Sequence, residues 1–278
     1  MKQQSFRAPA LWCLLLFVFL SGCGSSQQYA SFARDGAAYT GAVAALADRA
    51  SAVRVESSSF SLLQQRDELS RTYKGMELKN ALRDSIRHTN QSDLGAIGDN
   101  LRSKDVAISL QKYFIALQEL AESKAPEDIS SKTSDIIEKL DDAMKTHFHT
   151  SLSLPSSVAP FVVSHITERA LHKELVTRKD IILNALNILD GLLNAINREI
   201  DGQARNIRNA RVALLIQPAY QDTTSASLRS LPDKELWVAL RQKGMLGTAS
   251  EAEDKKAIAD IKKNGIKFRE LFMKMTKE

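Results

Sequence analysis

Cysteine is nearly missing from this chain: 278 residues hold two, Cys13 and Cys23. A small fold stapled by disulfides needs more than that. Proline is scarce too, six residues in all, and those at 126, 155, 160 and 218 fall between patterned stretches. Alternating apolar and polar residues over five or more positions are also lacking, which removes the usual strand signature. No Gly-x-Ser-x-Gly elbow, Walker loop or dinucleotide fingerprint is present, so no familiar catalytic scaffold is indicated. A strong excess of one charge is absent as well. The net charge is +5, and Lys2 and Arg7 carry two of those charges, so nothing points to nucleic acid.

What is present is helical spacing. Phe32, Tyr39, Val43, Leu46, Ala50, Val53 and Phe60 follow alternating steps of three and four, with Gly36 and Ser57 filling the gaps. Ile182, Leu186, Leu189, Leu193, Ile196, Ile200, Ile207 and Leu214 do the same, widened by Ile181, Ile188 and Leu192. Leu94, Ile97, Leu101 and Ile108 form a third seam, shifting face at Leu110, Phe114 and Leu117. Such stripes mark one buried face per helix. The expectation is an all-α protein, an elongated helical bundle with long coiled-coil-like helices.

Punctuation sets the expected boundaries. Asn90-Gln91-Ser92-Asp93 interrupts the first helical region, with Asp93 as N-cap of the next helix. Pro126-Glu127-Asp128 reads as a first helical turn. Ser151 to Pro160 is a loop, and one helix follows from Phe161 to about Gln217, bent at Gly191 and Gly202. A short helix from Asp233 to Lys243 ends at Gly244 and Gly247. Ser250-x-x-Glu253 is a capping box opening the last helix, whose seam is Ile258, Ile261, Phe268, Phe272 and Met275 around Gly265. The expected organisation is 1–22 leader, 23–28 tether, 29–219 main bundle, 220–231 linker, and 232–278 a C-terminal segment packed on the bundle.

The first thirty residues carry the most specific signal. Lys2 and Arg7 precede an uncharged run, Leu11 to Leu20, and then small residues. This is the layout of an export signal, and the run is too short to span a bilayer, which takes about 20 apolar residues. Leu20-Ser21-Gly22-Cys23 then resembles the lipobox of bacterial lipoproteins. That resemblance covers residues 1–26 only. It implies cleavage before Cys23, acylation of its thiol and amine, and a body held on a lipid bilayer by two or three acyl chains. The 256 residues left after removal of the leader would have no second cysteine to pair. Gly24, rather than Asp, in the next position implies the outer membrane.

Other clusters have weaker claims. His165, Glu168 and His172 share a helical face and are candidate zinc ligands, although Glu168 and His172 at i,i+4 more simply form a surface pair. His147-Phe148-His149 points its imidazoles about 200° apart on a helix and cannot share an ion. Asn184, Asn187, Asn194, Asn197, Asn206 and Asn209 suggest a polar ladder or, more simply, the outward face of an amphipathic helix. The basic residues of the last helix are nearly balanced by acids, so packing is favoured over lipid binding. The sequence therefore points to a membrane-anchored envelope lipoprotein, not an enzyme, with no cofactor. It would act as a structural or partner-binding helical module, through an unidentified protein partner or self-association. The alternative is a membrane-acting helical protein that forms pores or remodels bilayers.

Overall fold

A computed structural model describes residues 23–122, 127–148, 168–213 and 234–277. Among them are six helices and no strand: α1 (Cys23–Thr72), α2 (Gly75–Glu122), α3 (Glu127–Phe148), α4 (Glu168–Thr177), α5 (Lys179–Arg211) and α6 (Lys234–Met275). The protein is an all-α helical bundle, as the spacing requires. At 1.5 Å per residue, α1 alone runs about 75 Å. No helix among the described residues is long and apolar enough to cross a membrane.

The helices contribute to two compact units. The first draws on Met1–Gly41, Val106–Asn187 and Asn264–Glu278, the second on Ala42–Asp105 and Ile188–Lys263. In the first, Phe32 stacks on Phe268 with centroids 4.8 Å apart, and Phe114 meets both rings edge-on. Gly36 and Gly265 make this closeness possible. A Cβ at Gly36 would lie 2.7 Å from the Phe268 ring, and one at Gly265 would lie 2.7 Å from Tyr39. Leu110, Leu117, Ile137, Leu140, Met144, Leu171 and Leu175 complete this core. In the second unit the core is aliphatic: Val43, Ala47, Ala50, Val53, Leu189, Leu193, Ile196, Ile200 and Ile258.

The first and second sequence seams are thus buried as their spacing demands, except that Phe60 and Ile188 are half-buried and Leu214 lies outside the described residues. Glu127 opens α3, as the Pro126 signal indicates. Four expectations are corrected. There is no break at Asn90–Asp93, because α2 runs through it; the turn lies at Tyr73-Lys74-Gly75, where Gly75 takes φ +55°. Only glycine enters that left-handed region at little cost. The helix expected from Phe161 to Gln217 is not continuous, since Arg178 separates α4 from α5, although Arg178 N–H still donates to Glu174 C=O at 3.1 Å; its expected first residues, 161–167, and last, 214–217, lie outside the described residues. The stop at Gly244 and Gly247 and the restart at Ser250 are absent, since α6 is continuous. Residues 24–28, expected as a tether, lie in the first turns of α1. The linker 220–231 and the loop 151–160 fall outside the described residues.

The third seam is the largest difference. Leu94 is 69% exposed and Leu101 49%, while Asp93, Asn100 and Ser103 on the same helix are buried. Here α2 turns polar residues inward and leucines outward. From Ser58 to Ser92, the helical hairpin contains no buried residue at all.

Candidate functional site

The inverted face of α2 meets α1 at a polar cleft of about 250 Å³ in the second unit, lined by Arg54, Ser57, Ser58, His88, Asp93 and Gln203 among others. Arg54 arrives there because it neighbours Val53 of the buried seam, one position off its centre. Its Nε donates to Asp93 Oδ1 at 2.8 Å and its Nη2 donates to Ser92 Oγ at 3.0 Å. The Nη1 atom lies 3.7 Å from Glu199 Oε1. Ser58 Oγ donates to the second Asp93 oxygen at 2.5 Å, and Asn100 Nδ2 donates to Ser51 Oγ at 3.2 Å. Asp93, expected to cap a helix, instead reaches sideways to hold α1.

One guanidinium therefore stands between two carboxylates. Burial pushes the Glu199 carboxyl above its ordinary range; the Arg54 charge and a hydrogen bond with Asn100 oppose this, and the Asp93 charge adds to it. Chemically the cluster works as a clamp. Arg54 is engaged by α2 through Asp93 and Ser92 and by α5 through Glu199, so it fixes how those helices meet α1. Further ion pairs act alongside it: Lys104 to Asp48 at 2.7 Å, Arg49 to Asp254 at 2.9 Å, Lys255 to Asp201 at 3.3 Å, and Arg211 to Glu56. Each exposed pair contributes only about 0–1 kcal/mol, but together they join all four helices of this unit in pairs.

The first unit holds a second polar cluster, built on the buried Glu174 and Arg178. Arg178 Nε donates to Glu174 Oε1 at 3.3 Å, and its Nη2 donates to Ser134 Oγ at 3.5 Å. Burial raises the Glu174 carboxyl against the pull of Arg178. It also raises the Tyr113 phenol well above its usual range, with the Glu174 charge adding to the effect. This cluster sits where α4 passes into α5.

The residues singled out in the sequence are placed as follows. Cys23 is the first residue of α1. Glu168 opens α4 and is exposed, close enough for its charge to add to the burial that raises the Tyr29 phenol. His172 is half-buried on the same helix, and His165 lies outside the described residues. Among the described residues no three His, Cys, Asp or Glu side chains gather as metal ligands. His147 lies in α3 and His149 outside the described residues, while His88 borders the polar cleft. The asparagines of α5 mostly face outward: Asn187, Asn194, Asn206 and Asn209 are exposed, and Asn184 and Asn197 are half-buried.

Sequence reasoning missed Arg54 and Glu199. The available signal was the serine run Ser57-Ser58-Ser59, where an apolar seam turns polar without leaving its helix. Comparison with protein-family models, curated proteins and solved structures finds nothing that matches this chain.

Proposed function

We propose that this chain is a lipid-anchored protein of the bacterial envelope, held through acylated Cys23 at the outer membrane. Its helical body acts without catalysis, as a structural or partner-binding module. The observation that carries this reading is Leu20-Ser21-Gly22-Cys23 directly ahead of a helix that begins at Cys23. Acyl chains on that residue would place the start of α1 at the lipid surface with no leash between. The polar cleft supports a structural role, since Arg54, Asp93, Ser58 and Ser92 are spent on one another. The exposed leucines of α2 support association, because apolar side chains left outward on a helix are the kind of surface partners cover.

The test is metabolic labelling with a radioactive fatty acid and membrane fractionation of the full chain beside Cys23→Ala. Label and outer-membrane recovery in the first, and neither in the second, are expected. An unlabelled wild-type chain would overturn the anchor. Dye release from vesicles by the labelled protein would replace the structural role with the membrane-acting one.

A further inference from the structure

Leu94, Gly98 and Leu101 stand at i, i+4 and i+7 on α2, and so share one face. Both leucines are exposed. Arg87 and Asp105 lie on the same line, five helical turns apart, at either end of the patch. Both are exposed; Arg87 also reaches Asp84 on its own helix at 3.0 Å. The two glycines of this stretch answer no close approach among the described residues. A Cβ at Gly95 would meet nothing, and one at Gly98 would make only an ordinary contact, 3.5 Å from Arg102 Nη1. Glycine weakens a helix interior relative to alanine, so two such residues here call for a neighbour from outside.

The face complements itself. Lay a second α2 antiparallel against the first, with Leu94 opposite Gly98 of the second copy. The same shift sets Gly98 opposite the second Leu94, Arg87 opposite the second Asp105, and Asp105 opposite the second Arg87. Leu94 then meets a position with no side chain, Leu101 meets the exposed Gln91, and each charge meets its opposite, every match occurring twice, as a twofold interface requires. Ile97 falls opposite Gly95 of the other copy in the same register. A different protein would satisfy the leucines, but nothing about it would require the glycines and the two end charges to match one another.

We infer that α2 pairs antiparallel with α2 of a second copy, Leu94 of each seated over Gly98 of the other. The inference rests on the reading of the body as an association module and names its partner. It is tested by sedimentation velocity of the full chain in detergent, across a concentration series. The wild type is expected to dimerise. Leu94→Glu and Gly98→Leu should each weaken the dimer at least about tenfold, with Gly98→Leu melting no lower than wild type, which excludes misfolding as the cause. Arg87→Asp and Asp105→Arg should each weaken it, and the double variant should recover it. A wild-type chain that stays monomeric, or a dimer indifferent to Gly98→Leu, would overturn the pairing. So would a dimer that dissolves only when Cys23 is replaced. A monomer that still carries its acyl label would remove this inference and leave the anchor standing.

Discussion

Where α1 passes through the first unit it meets Phe114, Phe268 and Phe272 through Phe32, with ring centroids 4.8–6.0 Å apart. Farther along, in the second unit, the same helix meets α2 through Arg54, Asp93 and Ser58. Both stretches come from one amphipathic seam, and both are helix against helix. The first stretch is stabilised by apolar area and by ring geometry, with glycines removing every obstacle to close approach. In the second stretch, directional hydrogen bonds decide which residues face each other. They contribute less energy each, but they permit one register only.

The sharpest contrast lies in the two buried ion clusters. In the first unit Glu174 and Arg178 expose 4% and 5% of their side chains; in the second Asp93 and Arg54 expose 11% and 26%. Removing one partner of a buried pair strands the other charge, at roughly 3–5 kcal/mol. Glu174→Ala should therefore cost about that much in urea unfolding. Asp93→Ala, which leaves Arg54 beside Glu199 and water, should cost about 1–2 kcal/mol. Equal losses would mean that the cleft is as dry as the interior of the first unit, and the distinction between the two contacts would collapse.

Glycines sharpen the same comparison at smaller scale. Gly36→Ala and Gly265→Ala would each place a Cβ 2.7 Å from an aromatic ring and should cost about 1–3 kcal/mol by overpacking. Gly191→Ala, on α5 in the second unit, meets nothing within 4 Å. There helix propensity alone acts, and the variant should gain up to about 1 kcal/mol. Opposite signs in thermal melts are the expected result; a loss at Gly191 would show that α5 is covered at that point.

These differences explain what could be read from the sequence. Spacing located the seams of α1 and α5 because their buried positions are apolar, and periodicity reports apolar burial. In α2 it located the buried Leu110, Phe114 and Leu117 but misplaced the stretch from Leu94 to Leu101, because Asp93, Asn100 and Ser103 are the buried positions there. A leucine stripe facing outward has the same period as one facing inward. Asp93 matched the composition of an N-cap, yet its carboxylate is taken by Arg54 and Ser58, partners 39 and 35 residues away. Gly75 carried a local signal, a glycine closely following Arg71 in the last turn of α1, which is a helix-stop pattern in its own right. Asn90–Asp93 is the more polar stretch, yet it lies within α2. The Arg54 clamp was legible only in part, since pairing across helices depends on register, and register is set by the packing of all four helices together.

The smallest effect is the most specific to the second unit. The Glu199 carboxyl is raised by burial, and Asp93 adds to the shift, so the folded state holds this proton more tightly than the unfolded chain does. A raised carboxyl favours folding while it is protonated, below its unfolded value. That contribution declines as pH climbs from the ordinary glutamate range to the raised folded value, and it is flat beyond. Glu199→Gln keeps the side chain's shape and removes the titration, while Arg54 retains Asp93. Its stability relative to wild type should therefore grow as pH climbs out of the ordinary glutamate range and level off once the raised folded value is passed, as read by urea midpoints at each pH. Parallel curves for the two proteins would mean that Glu199 is solvated like a surface carboxylate. Arg54 would then be shared between α1 and α2 alone, and α5 would be held to them by its aliphatic seam, in the manner of the first unit.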